Sequence, residues 1–464
     1  MNLSDRINPV ALKELRQWVR NRAIGGVLRL FFAVLLILTL IVVTANSEHG
    51  FVTDPNTGKY VFQTLSVPLG LVLLLLLPRL SFARLLMEHG DGKTDLGLAT
   101  TLSPARYLDG KLFAGAALEV LFIAAALPFI LLAYLLRGLD PFEALLFVVF
   151  LFFLGLVCLA GALCLGALRT PVAIRKTLFM LCLLQTVFVP FSLPFIWGET
   201  EIPGVWVHFI VDAGLLAVAA ILRGIAITQL APAGTNRSRP LRWTVSIVWA
   251  LGLAGLGIAE AISAEPMLAP GSIGLLFPIC AYAFFEASGA PGYSRRVLLD
   301  RPRNRFRRFF AFFGATGAES GLAHAAILAI GTGLAGWLGY VFGTDFKAAN
   351  EPLKIFAILL YATATVLLLR AVWRHFLPRR VPHGIIGLVA AFLPLLVSML
   401  QELLIKNPPD TAFLNVFRLL DSVSHDDVFV HFLMALAYFA VALIAFAPQF
   451  FRAVRTYAAP PDAR

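Results

Sequence analysis

Charge is scarce in this chain. Only 14% of its 464 residues are Asp, Glu, Lys or Arg, where soluble domains average about 25%. That shortage argues against a water-soluble globular protein. Cysteine is scarce too: Cys158, Cys164, Cys182 and Cys280 are all there are, and each falls inside an apolar run. They read as small core residues, with neither a disulfide framework nor the paired spacing of a metal site, so no metal is expected. No polar stretch is long enough to hold a soluble catalytic domain. The largest loops are 45–60, 83–110, 288–317 and 405–428. A nucleotide-binding loop is also missing. Gly92-Lys93-Thr94 has the ending of a P-loop, but Met87 stands where its first glycine is needed, and no buried strand precedes it. No cofactor is expected in this chain.

Long hydrophobic runs are what the chain does have. Hydrophobic residues make up 59% of it, and its mean hydropathy is +0.83. Apolar runs of about 18 residues or more recur along its length, as membrane helices require. Spans are predicted near 24–44, 61–82, 111–136, 142–168, 177–197, 207–229, 242–261, 269–287, 318–341, 353–373, 384–404 and 429–447. The fold class is therefore an all-α integral membrane protein with about twelve transmembrane helices. Pro270, Gly271 and Pro278 interrupt the eighth.

Basic residues fall in alternate loops. With the N-terminus inside, the inner segments hold Lys13, Arg16, Arg20 and Arg22, then Arg84, Lys93 and Arg106, then Arg169, Arg175 and Lys176. The pattern continues through Arg237, Arg239 and Arg242, the run from Arg295 to Arg308, Arg374, Arg379 and Arg380, and Arg452 and Arg455. The outer loops hold only Lys59, Arg137, Lys347, Lys406 and Arg418. This asymmetry predicts both termini in the cytoplasm. It also explains the +11 net charge without a nucleic acid partner. In each half the largest inner loop lies between the second and third spans. Residues 24–230 and 231–464 thus read as two six-span units in a parallel arrangement.

Residues 1–23 read as an amphipathic interfacial helix rather than a cleavable signal peptide. Asn8 suits an N-cap and Pro9 the first helical position. Ala11, Leu15, Trp18 and Val19 form an apolar stripe, with Lys13, Arg16 and Arg20 off it. Trp18 is expected at the lipid headgroups.

The loop 83–110 has a charged start, leucines in its centre and a Ser103-Pro104 stop, then Gly110-Lys111. Asn8-Pro9 with Lys13-Glu14-Leu15-Arg16, followed at once by a span, resembles the start of type-2 permeases of ATP-binding-cassette transporters. The loop resembles the same family's cytoplasmic segment at Glu88, Gly92, Asp95, Leu96, Leu98, Thr100, Leu102, Ser103, Gly110 and Lys111. It departs from the family pattern at Lys93, Gly97 and Thr101. The resemblance covers residues 8 to roughly 230.

It implies a permease without ATPase motifs of its own, fed by a separate cytosolic ATPase subunit that holds the ATP. It also implies residence in a prokaryotic plasma (inner) membrane, and export rather than import. Glu88, Gly92, Asp95, Leu96, Leu98 and Leu102 would then form the ATPase-coupling segment, with Lys13, Glu14, Arg16 and Trp18 on the interfacial helix. A small apolar face flanked by acids suits a groove on such a partner. Whether one chain suffices, or a homodimer or another permease subunit completes the pathway, is left open, as is the substrate.

Three ionisable residues inside spans, Glu119, Asp212 and Arg223, are candidates for a transport path. A charge at mid-membrane costs roughly 2.5–3.5 kcal/mol on insertion scales, so Glu119 needs a partner, water or a proton. Glu260, Glu286 and Arg370 lie nearer span edges, where they can snorkel. The run from Arg295 to Arg308 reads as attraction to anionic membrane lipids or as a second ATPase contact. An ion- or proton-coupled secondary transporter is the alternative reading. A membrane enzyme acting on lipid-linked substrates would rest only on His425-Asp426-Asp427.

Overall fold

The computed structural model describes residues 8–47, 56–90, 102–136, 138–168, 170–199, 205–232, 235–263, 295–342, 363–372 and 425–458, with single positions at 279, 282, 283, 286, 293, 357, 360 and 361. Among the described residues every regular element is helical. Nine stretches of them are long and apolar enough to cross a membrane: Arg22–Thr44, Thr57–Glu88, Pro104–Leu135, Pro141–Ala167, Val172–Phe195, Val211–Leu230, Arg239–Ile258, Ala318–Ala335 and Val430–Ala458. The chain is an all-α, multi-pass membrane protein. Nine of the twelve expected spans correspond to these. Of the other three, the span expected at 384–404 lies outside the described residues, that at 269–287 is described only at 279, 282, 283 and 286, and that at 353–373 is described mainly as the short apolar helix Thr363–Val372.

Packing divides the chain into two compact units, Met1–Ala231 and Pro232–Arg464. In the first, the helices are α1 (Pro9–Arg20), α2 (Arg22–Ser47), α3 (Thr57–Leu71), α4 (Leu77–Gly90), α5 (Pro104–Leu135), α6 (Pro141–Ala167), α7 (Val172–Thr186), α8 (Val189–Glu199) and α9 (Val205–Leu230). A wide π turn, Val72–Leu76, joins α3 to α4, so the two form one span. Three helices begin the same way. A short polar cap precedes a proline, which has no N–H to leave unbonded at the first turn. Asn8 Oδ1 accepts from Val10 N at 3.0 Å, Ser103 Oγ from Arg106 N at 3.3 Å, and Asp140 Oδ1 from Phe142 N at 2.9 Å.

The core of this unit is built from Leu65, Leu69, Leu73 and Leu77 of the second span, Leu35 of α2, Phe122 of α5, and Phe147 and Leu151 of α6. Edge-to-face rings lock it, with centroids 5.3 Å apart for Phe31 and Phe122, and 5.4 Å for Phe62 and Phe147. Within a bilayer such helices gain from close packing rather than from leaving water. Leu36, Leu40 and Ile41 of α2 and Leu131 and Leu135 of α5 face outward, as helices solvated by lipid allow.

In the second unit the helices are α10 (Arg239–Ser263), α11 (Arg295–Leu299), α12 (Arg305–Phe313), α13 (Ala318–Phe342) and α14 (His425–Ala458). α13 contacts α10, α12 and α14. Val297, Phe312, Ala315 and Tyr457 form a small core where α12 meets the end of α14.

Arg242, on α10, is fully buried in this unit. Its guanidinium donates to Glu286 Oε1 at 3.2 Å and Oε2 at 3.0 Å, to Phe313 O at 2.8 Å, to Gly317 O at 3.0 Å, to Ser320 Oγ at 2.9 Å and to Ala315 O. Gly317, with φ +151°, has the backbone freedom to turn its carbonyl toward that cation at the start of α13. Arg242 and Glu286 are thus one buried clamp. Glu286 does not snorkel from a span edge as the sequence suggests, because the planar guanidinium satisfies both its oxygens. Arg370 is also buried, 3.9 Å from Glu319.

Candidate functional site

The candidate site lies on the two flanks of segment 91–101. Gly92, Asp95, Leu96 and Leu98 fall within that segment, outside the described residues. Glu88, at the end of α4, and Leu102, just before α5, bracket it.

The site is built on α1. Val10, Ala11, Glu14 and Trp18 form its buried face, and Leu15 packs partly against the core. Val19, expected on that stripe, is 85% exposed. The apolar face is rotated toward Glu14 because Glu14 has ionic partners inside the protein and Val19 has none. Lys13 and Arg16 are exposed, as a surface helix predicts. Trp18 does not face headgroups: it is 3% exposed, and the Arg84 guanidinium lies 3.4 Å from its ring centre.

α1 crosses α5 at Gly110. A methyl group there would come within 2.6 Å of Val10 Cβ and 2.9 Å of Ala11 N, so only glycine permits the approach. Asn8 Nδ2 adds a hydrogen bond to Arg106 O at 2.5 Å. The Asn8-Pro9 pair thus caps α1 and fastens it to the start of α5.

Four charges converge beneath this crossing. Lys111 Nζ lies 2.6 Å from Glu14 Oε1 and 2.9 Å from Glu88 Oε2, and Arg84 lies 3.1 Å from Glu14 Oε2. Tyr107 donates its hydroxyl to Glu88. Two cations and two carboxylates balance, which makes their burial tolerable. The Lys111 and Glu14 side chains are only 6% and 4% exposed. Two residues before Lys111 on α5, Asp109 accepts both prongs of Arg223 from α9, at 2.5 and 2.7 Å. Leu102 packs against a second core of Val10, Leu85, Leu108, Leu163 and Leu230. The flanks of segment 91–101 are therefore fastened to α1, α4, α5, α6 and α9 together.

The three expected path residues do not share one cluster. Arg223 belongs to the Asp109 pair. Glu119 lies about 15 Å farther along α5, wholly buried, and neither of its carboxyl oxygens has a hydrogen-bond partner among the described residues. It lies against Gly155 of α6, where a methyl group would come 3.1 Å from Oε1. Asp212 is buried on α9, and its Oδ1 also lacks a partner there. Sequence reasoning missed Arg84, Tyr107 and Asp109 as site residues. One signal was present: Glu14 sits three and four residues from buried apolar positions on α1, and an acid on an apolar stripe implies a cation opposite.

Comparison with family models, with curated proteins and with solved structures finds no match for this chain.

Proposed function

We propose that the chain is the membrane-spanning permease subunit of an ATP-driven exporter, moved by a separate cytosolic ATPase subunit in a prokaryotic plasma membrane. The order of motifs from Asn8 to Lys111 supports this. The observation that carries it is the Glu14–Lys111–Glu88 cluster. A partner pressing on segment 91–101 meets a segment whose two flanks are cross-linked by buried and half-buried charges to the interfacial helix and to the spans. Its displacement would then move those helices as a body instead of being absorbed locally. ATP stays on the partner, and this chain contributes no catalytic residue.

The test is purification of the native complex from membranes. Co-purification of an ATPase subunit is expected, together with ATP-dependent transport that Leu96→Asp with Leu98→Asp abolishes while the chain remains folded. Normal ATPase recruitment and transport in that double variant would remove the docking role.

Glu119 favours a second reading, an ion- or proton-coupled secondary transporter, because a carboxyl inside a span with no hydrogen-bond partner among the described residues suits proton binding. Transport that survives ATP depletion but stops when the proton gradient collapses would favour it.

A further inference from the structure

We infer that α12 is an anionic-lipid anchor of the second unit, seated in the membrane leaflet where α13 begins and α14 ends. This goes beyond the permease reading and does not depend on it. α12 is nine residues long and has two unlike faces. Phe306, Phe309 and Phe310 are 70%, 51% and 58% exposed. Their rings meet edge to face, with centroids 4.9 Å apart for Phe306 and Phe310 and 5.7 Å for Phe309 and Phe310. No protein covers this ladder among the described residues. Arg303, Arg305 and Arg307 are exposed beside it.

Two attachments set the depth of the helix. Phe312 is buried, its ring 5.6 Å from Phe450 and 5.8 Å from Tyr457 near the end of α14. At the other side, Phe313 and Gly317 give their carbonyls to Arg242 just before α13 starts. The helix is therefore held level with the ends of two spans, which is the depth of the lipid headgroups. At that depth an uncovered aromatic face meets acyl chains, and arginines beside it meet phosphates. Arg301 and Arg308 are committed elsewhere: they donate to the Tyr457 and Ala458 carbonyls, fastening the segment to α14. The five arginines of 301–308 thus divide into two that hold the fold and three that face outward.

The experiment places benzoylphenylalanine at Phe310 in the full chain. The variant is illuminated in native membranes, in nanodiscs of phosphatidylglycerol with phosphatidylcholine, and in nanodiscs of phosphatidylcholine alone. The expected product by mass spectrometry is a phospholipid adduct, several-fold more abundant in the anionic discs. Adding Arg303→Gln, Arg305→Gln and Arg307→Gln should lower that yield to the level of phosphatidylcholine alone. A cross-link to another protein in native membranes, or no lipid adduct in any setting, overturns the assignment. Equal yields in the two disc compositions overturn the anionic headgroup as the ligand.

Discussion

Lys111 lies 2.6 Å from Glu14 across 97 positions of sequence and 2.9 Å from Glu88. One ammonium on the first turns of α5 therefore holds both the N-terminal helix and the end of α4. Lys111→Met would leave the buried Glu14 carboxylate with Arg84 alone of its two cations, and would take the ammonium from the half-buried Glu88. Breaking a buried pair from one side costs about 3–5 kcal/mol. A double-mutant cycle of Lys111→Met with Glu14→Gln, read by thermal unfolding in detergent, should show coupling well above the roughly 0.5 kcal/mol expected of independent sites. Additive effects would mean that the two residues do not act together.

The α1–α5 crossing admits no side chain at Gly110. Gly110→Leu is expected to lift α1 from α5 and expose the backbone around Arg16 and Arg20 to limited proteolysis. Gly25→Ala, with nothing within 4 Å of the added methyl, serves as the control and should cleave as the parent does. Equal protection of both variants would contradict the tight crossing.

Glu119 is buried without a hydrogen-bond partner among the described residues. Removing such a group relieves a penalty of about 1–3 kcal/mol, so Glu119→Met should be neutral or stabilising in a thermal-shift assay. A large loss of stability would reveal a partner for the carboxyl. In ATP-driven export Glu119→Gln should leave transport intact, whereas in a proton-coupled carrier it should stop it.

Arg242 uses a planar fork to reach one carboxylate, three backbone carbonyls and a hydroxyl. A lysine has one ammonium and cannot span those acceptors. Arg242→Lys should therefore destabilise by several kcal/mol, on the order of the cost of a broken buried pair, despite keeping the charge. Folded yield after detergent extraction is the readout. Near-parent stability would show that charge alone suffices there.

The sequence by itself determined the all-α membrane character and the position of nine spans. Hydropathy and cap-then-proline starts such as Ser103-Pro104 and Asp140-Pro141 are local properties, and a lipid-solvated backbone must satisfy itself within one helix. The amphipathic segment after Asn8 was legible for the same reason, although its buried face was read one position off, toward Val19 instead of Glu14. Only the tertiary structure decided what each charge does. Arg223 looked like a path residue and is the partner of Asp109. Glu286 looked like a residue at a span edge and Arg242 like one of the inner basic residues, and together they form a buried clamp. Trp18 lies beneath Arg84 instead of among headgroups. Each outcome depends on a residue tens of positions away on another helix, and pairing at that range leaves no periodic trace in a single chain. The charge pattern could say which side of the membrane a loop favours. Packing alone could say which cation a given carboxylate meets.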